Sequence, residues 1–153
     1  MASTQEAMQW ALEEAQQAAL SGEVPVGAVI LDSRGKVLSK AHNHVERNFD
    51  ASAHAEMLAL RQAAIVQNSP RLVDCTIVVT LEPCPMCAAA MSHFRIGRLI
   101  YGAYDPKGGG VDHGARLFQQ PSCLHCPEEI ISGVREQEAA LLLRRFFQER
   151  RIK

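Results

Sequence analysis

The chain has 153 residues, of which 47% are hydrophobic and 22% charged, and its formal net charge is −1. This length and apolar content are enough for one domain with a buried core. The near-neutral charge argues against a general polyanion binder, and the absence of a secretory signal or a long apolar run argues against a membrane location.

Apolar periodicity predicts helices and strands in alternation from residue 7 onward. The first helix spans about 7–20 and ends before Gly22, a residue type favoured just after a helix. The elements predicted after it are strands at 24–31 and 37–41 joined by a turn at 32–35, a helix at 55–64, a strand at 75–80, a helix at 85–91, strands at 99–103 and near 130–131, and a last helix at about 136–151.

This order of elements predicts a mostly parallel, five-stranded sheet covered by helices on both faces. No linker, repeat or low-complexity segment interrupts it, so residues 1–153 are predicted to form a single domain. Sites in such sheets form at the carboxyl ends of strands. One strand ends at Thr80 and leads to Cys84, and another ends at Ala103 and leads to Asp105.

Two motifs point to the chemistry: His54-Ala55-Glu56, and Pro83-Cys84-Pro85-Met86-Cys87. One imidazole and two thiolates can hold zinc at three corners of a tetrahedron and leave the fourth corner for water, as catalytic sites do. A carboxylate oxygen is a poor fourth ligand beside two thiolates, so Glu56 is predicted to carry protons. Together the motifs match the signature H-x-E then P-C-x-x-C of zinc nucleobase deaminases.

Both motifs are predicted at helix N-termini. Residues two apart point in nearly opposite directions in a helix body, so His54 and Glu56 can converge on one metal only where the helix starts. Cys84 and Cys87 are three apart and share a face of a helix that begins at Pro85. The helix dipole at this position favours thiolates.

Other interpretations of these motifs exist. The cysteines could be small buried residues, or the zinc could be structural, although Thr80, Leu81 and Met86 are poor candidates for a fourth ligand. A second C-x-x-C, Cys123-Leu124-His125-Cys126, would need two further ligands to bind zinc, so we interpret it as a loop feature. With an odd number of cysteines and two of them serving as ligands, a reducing cytoplasm is expected.

Four segments resemble the bacterial tRNA-specific adenosine deaminase family: 23–29, 54–56, 80–87 and 102–105. The resemblance covers nearly the whole chain. It implies the three-layer α/β/α sandwich of the cytidine deaminase fold, a zinc cofactor and a homodimer. It also implies hydrolytic conversion of adenosine to inosine at the wobble position of the tRNA anticodon stem-loop, with release of ammonia.

By the same resemblance, six residues are expected to bind the substrate: Asn43, Ala55, Asp105, Phe147, Arg150 and Arg151. Asn43 matches an asparagine that contacts the flipped purine, Asp105 an aspartate that contacts RNA, and Phe147 an aromatic residue beside the anticodon loop. Structural alternatives are that Asn43 caps a strand end and that Asp105 belongs to a turn. Phe146 and Phe147 could both be core residues of an amphipathic helix.

Three functions remain open from the sequence. The first is an RNA-editing enzyme, and the second is a deaminase of a free base or nucleotide, with guanine favoured by Pro85, a residue that we associate with guanine deaminases. The third is a zinc scaffold without activity, which has no use for Glu56 or an open coordination position. The basic, aromatic run 144–153 favours RNA, because it offers phosphate contacts and a stacking surface.

Overall fold

The computed structural model describes the backbone of residues 1–152 and the side chains of residues 1–150. The elements are α1 Thr4–Leu20, β1 Gly27–Leu31, β2 Val37–His42, α2 Ala55–Gln67, β3 Thr76–Leu81, α3 Pro85–His93, β4 Arg98–Ala103, a short 3₁₀ turn Leu117–Gln119, β5 Glu129–Ile131 and α4 Glu136–Ile152. Every predicted element is present, with its ends within about three residues of the prediction. Among residues 1–152, no helix combines the length and apolar character needed to cross a membrane.

The five strands form one sheet in the order β2-β1-β3-β4-β5. β3, β4 and β5 pair in parallel, whereas β1 is antiparallel to both of its neighbours. Four strands therefore share one direction, which confirms the mostly parallel sheet. The exception arises because the short turn after β1 makes a hairpin, and a hairpin reverses the chain.

Helices cover both faces of the sheet, which confirms the three-layer sandwich. One core cluster combines α2 and α3 with the strand residues Ile77 and Leu99, and the other combines α1 and α4 with the adjacent residues Val78 and Ile100. Neighbouring residues of a strand point to opposite faces, so each buried strand supplies both clusters. This two-sided burial makes the central strands a rigid support for the loops at their ends.

The carboxyl ends of β3 and β4 lie side by side, since Leu81 pairs with Ala103. From this edge β3 leads to Cys84 and α3, and β4 leads to Asp105. Cys84 and Asp105 thus follow the carboxyl ends of two adjacent parallel strands, the position at which the sequence predicts a site.

Candidate metal centre and substrate cavity

Three metal-binding side chains meet where α2 and α3 begin. His54 is the N-cap residue of α2, Cys84 is the N-cap residue of α3, and Cys87 lies in the first turn of α3. The Nδ1 atom of His54 lies 3.6 Å from Sγ of Cys84 and 3.5 Å from Sγ of Cys87. Both motifs therefore lie at helix N-termini, as predicted.

These distances fit a zinc ion. With zinc–sulfur bonds of about 2.3 Å and zinc–nitrogen bonds of about 2.0–2.1 Å, a tetrahedral site places sulfur and nitrogen about 3.5 Å apart. One neutral imidazole and two thiolates also balance the charge of the ion. Within the side chains of residues 1–150, His54, Cys84 and Cys87 are the only group of three or more His, Cys, Asp or Glu residues that is placed to share a metal ion.

When no cation is bound, the hydrogen bond between the two thiols favours ionisation of Cys84 and opposes ionisation of Cys87. A hydrogen bond with Cys87, opposed by burial and assisted by His54, lowers the pKa of Cys84 to about 4. The hydrogen bond to Cys84, together with burial, raises the pKa of Cys87 far above its ordinary range. A divalent cation stabilises both thiolates at once, so the electrostatics of the pair agree with the geometry.

Glu56 lies beside this group, in the first turn of α2. The residue is 4% exposed, and this burial raises the pKa of its carboxyl to about 7. A carboxyl group that gains and loses a proton near neutral pH has the property required of a general acid and base.

A cavity of about 510 Å³ opens beside His54, Glu56 and Cys84. This volume lies within the usual range for sites that bind small molecules or single nucleosides. The rest of its wall comes from residues of four segments, within 22–26, 43–46, 81–82 and 105–108, and from two residues of α4, Phe146 and Arg150.

Asn43 connects the cavity wall to the start of α2. Its Oδ1 accepts a hydrogen bond of 2.7 Å from the backbone N–H of Ala55, which satisfies one of the donors exposed at a helix start. The NH₂ group is therefore what Asn43 can offer to a base. Ala55 itself is fully buried, is not among the residues that line the cavity, and directs its N–H to Asn43.

Asp105 has the structural role of a turn residue and also borders the cavity. Its Oδ1 accepts a hydrogen bond of 2.9 Å from the backbone N–H of Gly108, as the turn signature predicts. Both residues are part of the cavity wall. Asp105 can therefore form the turn and also lie near the substrate.

α4 presents Phe146 to the cavity, whereas the resemblance pointed to Phe147. Phe146 is 5% exposed and lines the cavity, and Phe147 is 46% exposed and lies in a separate surface groove beside Leu143. The guanidinium carbon of Arg150 lies 3.6 Å from the ring centroid of Phe146, a cation–π contact at the cavity wall. The side chain of Arg151 lies outside the described residues.

Glu82 follows β3, is 1% exposed and belongs to neither of the two metal-binding motifs. Its carboxylate accepts hydrogen bonds from the backbone N–H groups of Asp105 (3.0 Å), Val111 (3.2 Å), Asp112 (2.9 Å) and His113 (3.0 Å), and it pairs with Nδ1 of His113 at 2.8 Å. Burial opposes ionisation, but the bonds from Asp105 and His113 lower the pKa of Glu82 below its ordinary value. Glu82 therefore holds the loop that carries Asp105.

Glu23 has the same role for a second loop of the cavity wall. It is 2% exposed and accepts hydrogen bonds from the backbone N–H groups of Glu46 at 3.1 Å and Arg47 at 2.8 Å. In the sequence, the one signal for both glutamates is that each is an acidic residue next to apolar strand residues. The donors lie more than twenty residues away, which sequence patterns do not reveal.

The glycine-rich loop 108–110 packs tightly against the start of α3. A Cβ atom at Gly109 would lie 2.5 Å from Oε2 of Glu82, and one at Gly110 would lie 2.6 Å from the backbone nitrogen of Pro85. Pro85 is exposed, is the first residue of α3 and does not line the cavity. The preference of proline for the first position of a helix explains why Pro85 is present, so this residue does not indicate a guanine substrate.

The segment 123–126 forms a loop that contributes no residue to the cavity wall. Cys123 Sγ lies 3.5 Å from Oγ of Ser92, and Nε2 of His125 lies 3.1 Å from the carbonyl oxygen of Ile96. Both cysteines are free thiols, and in the described part of the chain neither belongs to a group placed to bind a metal. This supports the interpretation as a loop feature.

Comparison with known proteins identifies the family. The family model for the cytidine and deoxycytidylate deaminase zinc-binding region matches residues 1–103. A tRNA-specific adenosine deaminase of Agrobacterium fabrum is 48% identical over 146 residues, which cover 95% of this chain and 94% of that protein. A solved structure from studies of A-to-I editing by tRNA:A34 deaminases at the wobble position of transfer RNA has a TM-score of 0.87 and 46% identity, covering 90% of this chain and 98% of its own.

A guanine deaminase from Nitrosomonas europaea has a TM-score of 0.79 and 21% identity, with coverage of 95% of this chain and 85% of its own, which shows a common fold alone. The match to the Agrobacterium protein extends well beyond residue 103 and the metal-binding motifs. The chain therefore belongs to the tRNA-specific adenosine deaminases, a family of zinc-binding deaminases with the cytidine deaminase fold.

Proposed function

We propose that this enzyme converts adenosine to inosine at the wobble position of a tRNA anticodon, with release of ammonia. The observation that carries the proposal is the convergence of a zinc-binding group and a buried carboxyl on one cavity that also includes Phe146 and Arg150 of α4. The nearly full-length similarity to tRNA-specific adenosine deaminases supports the choice of substrate.

In this proposal, His54, Cys84 and Cys87 hold the zinc ion. Bound zinc supplies water with a pKa lowered towards neutrality, which makes it a nucleophile without a strong base. The chain's own contribution to the ligand geometry comes from the helix starts, which fix the relative positions of the three side chains before the metal arrives.

Glu56 carries the protons. Its carboxylate accepts a proton from the attacking water and gives it to the ring nitrogen next to the carbon that bears the amine. As the water oxygen bonds to that carbon, its remaining proton passes through Glu56 to the amine. The carbon–oxygen double bond then forms, and the carbon–nitrogen bond breaks as ammonia departs. Positioned proton transfer of this kind typically contributes about 10²- to 10⁴-fold in rate.

Asn43 and Arg150 are proposed to bind two different parts of the substrate, the base and the phosphate backbone. The amide NH₂ of Asn43 can donate to an acceptor atom of the purine, which must leave the anticodon stack to enter the cavity. Arg150 is held by Phe146 at the cavity wall, where a guanidinium group can bind a phosphate of the RNA. Arg151, one residue further along α4, is proposed to add a second phosphate contact.

The family resemblance also supports a homodimer in the cytoplasm. Sedimentation of the purified enzyme with and without RNA measures its subunit number directly. A species with the mass of one chain under both conditions contradicts the proposed dimer, and it leaves the assignment of the chemistry unaffected.

One assay tests the substrate. Zinc-loaded enzyme is given an anticodon stem-loop with adenosine at the wobble position, and guanine, adenosine and cytidine are supplied separately, with ammonia and inosine measured in each. We expect turnover of the stem-loop at a kcat/KM several orders of magnitude above that of the free compounds. The same stem-loop with guanosine at the wobble position is the matched control. Faster release of ammonia from guanine than from the adenosine stem-loop overturns the proposal.

A further inference from the structure

Phe49 is an exposed aromatic residue in a strained conformation. Its side chain is 98% exposed, and its φ angle of 50° lies in the left-handed region. It is the only aromatic residue among residues 1–152 with a positive φ. A bulky residue in this region is an outlier, and exposure of the ring to water gives no packing in return.

The loop that carries Phe49 is held in place by hydrogen bonds. The backbone N–H of Asn48 donates to the carbonyl of His44 at 2.9 Å, and that of Asp50 donates to the carbonyl of Val45 at 3.0 Å. Glu23 binds two further N–H groups of the same loop. These bonds maintain the exposed position of the ring, and strain maintained in this way is concentrated at functional sites.

The same loop forms part of the cavity. It runs from Asn43 to His54, and between them Val45 and Glu46 also line the cavity wall. The ring of Phe49 therefore belongs to a short segment whose ends lie at the metal centre and at the predicted base contact.

The surroundings of Phe49 distinguish between classes of partner. Its neighbours in sequence are all polar: Glu46, Arg47 and Asn48 precede it and are exposed, and Asp50 follows it with its carboxylate bound by Ser52. Along the chain, no apolar residue adjoins the ring, unlike the core of a protein interface. An exposed aromatic ring with a cationic residue nearby in the sequence, as Arg47 is two residues before Phe49, is a combination that binds single-stranded nucleic acid, because every base can stack on the ring and the cation binds phosphate.

We propose that Phe49 stacks on an unpaired nucleobase that neighbours the target adenosine, while Arg47 contacts the backbone of the RNA. This inference rests on the proposed function, since it supplies the RNA. The stacked base fixes the register of the loop, so that the next base is the one that enters the cavity.

Steady-state deamination of the wobble-adenosine stem-loop by Phe49→Ala, Phe49→Trp and wild type tests the proposal. Stacking on an exposed ring supplies enough binding free energy that its loss raises KM about 5- to 150-fold. We expect that increase for Phe49→Ala, with kcat nearly unchanged and with zinc content and melting temperature equal to wild type, and near wild-type KM for Phe49→Trp. Val73→Ala removes a side chain that is 60% exposed near the opposite end of β3, and it should leave KM unchanged.

The outcomes separate this inference from the proposed function. If wild type deaminates the stem-loop and Phe49→Ala does so with the same KM, the stacking role is wrong. An increase in KM that accompanies dissociation of the subunits assigns Phe49 to contact with a second copy of the chain, and also overturns the proposal. If wild type itself does not act on the stem-loop, the proposed function fails first.

Discussion

Replacement of Glu82 by glutamine isolates the contribution of one buried carboxylate to the loop that carries Asp105. Oε1 of Glu82 accepts from the backbone N–H of Asp105 and pairs with Nδ1 of His113, and Oε2 accepts from three backbone N–H groups. Glutamine keeps the shape but replaces one oxygen with a donor. The NH₂ group will take the Oε1 side, because only the imidazole of His113 can change tautomer and become an acceptor.

This arrangement leaves the N–H of Asp105 facing another donor. An unpaired buried donor costs about 1–3 kcal/mol, so we expect the free energy of unfolding to fall by about that amount. The melting temperature of a domain of this size then falls by roughly 3–10 °C. Because Asp105 borders the cavity, KM for the RNA substrate should rise, whereas zinc content should stay stoichiometric, since Glu82 is not among the three residues placed to bind the metal.

Chemical denaturation, zinc analysis and steady-state kinetics measure these three effects. Glu129→Gln is the matched control, because Glu129 has a side chain that is 53% exposed and forms only a surface ion pair with Arg98, worth at most about 1 kcal/mol. A Glu82→Gln enzyme with wild-type unfolding free energy and wild-type kcat/KM would refute the assigned role of Glu82.

The contribution of Glu82 to the free energy of unfolding also depends on pH. The folded-state pKa of Glu82 lies below its ordinary value of 4.5. Its contribution to stability is therefore complete above about that pH and is lost as the pH falls through the folded-state pKa. The stability difference between wild type and Glu82→Gln should be largest near neutral pH and should shrink in acid. A difference that grows as the pH falls contradicts this assignment.

Three further changes test the site. Glu56→Gln should keep zinc and fold but lower kcat by about two to four orders of magnitude, since it removes the proton carrier; stoichiometric zinc with a wild-type rate contradicts that role. Cys123→Ser combined with Cys126→Ser should leave activity and metal content unchanged, and a decrease from two zinc ions per chain to one would show a second site. Arg150→Ala should raise KM for the stem-loop and reduce the magnitude of the slope of log affinity against log salt concentration by somewhat under one unit. Arg34→Ala, at an exposed residue, should change neither quantity.

The Arg150→Ala and Arg34→Ala variants are compared at several salt concentrations. A phosphate contact is identified by the slope of the logarithm of affinity against the logarithm of salt concentration. Arg150 lines the cavity, and Arg34 lies in the turn between β1 and β2. Equal slopes for the two variants would show that Arg150 does not contact a phosphate. The zinc content of both should match wild type, since neither residue touches the metal-binding group.

The sequence by itself was sufficient for the metal centre, because its determinants are local. Helix formers after His54 and Pro85 after Cys84 predict two helix starts, and helix starts bring the ligands and Glu56 into register. The five strands were predictable for the same reason, since long apolar runs such as 75–80 are recognisable without their partners.

Only the tertiary structure decided which side chains form the cavity around that centre. Phe146 and Phe147 are adjacent and equally apolar, and packing of α4 against the rest of the domain selects Phe146 for the cavity. The roles of Glu23 and Glu82 depend on backbone donors 23–31 residues away. A sequence pattern reports on near neighbours along the chain, whereas burial and hydrogen bonding of these glutamates depend on loops that only the complete sheet brings together.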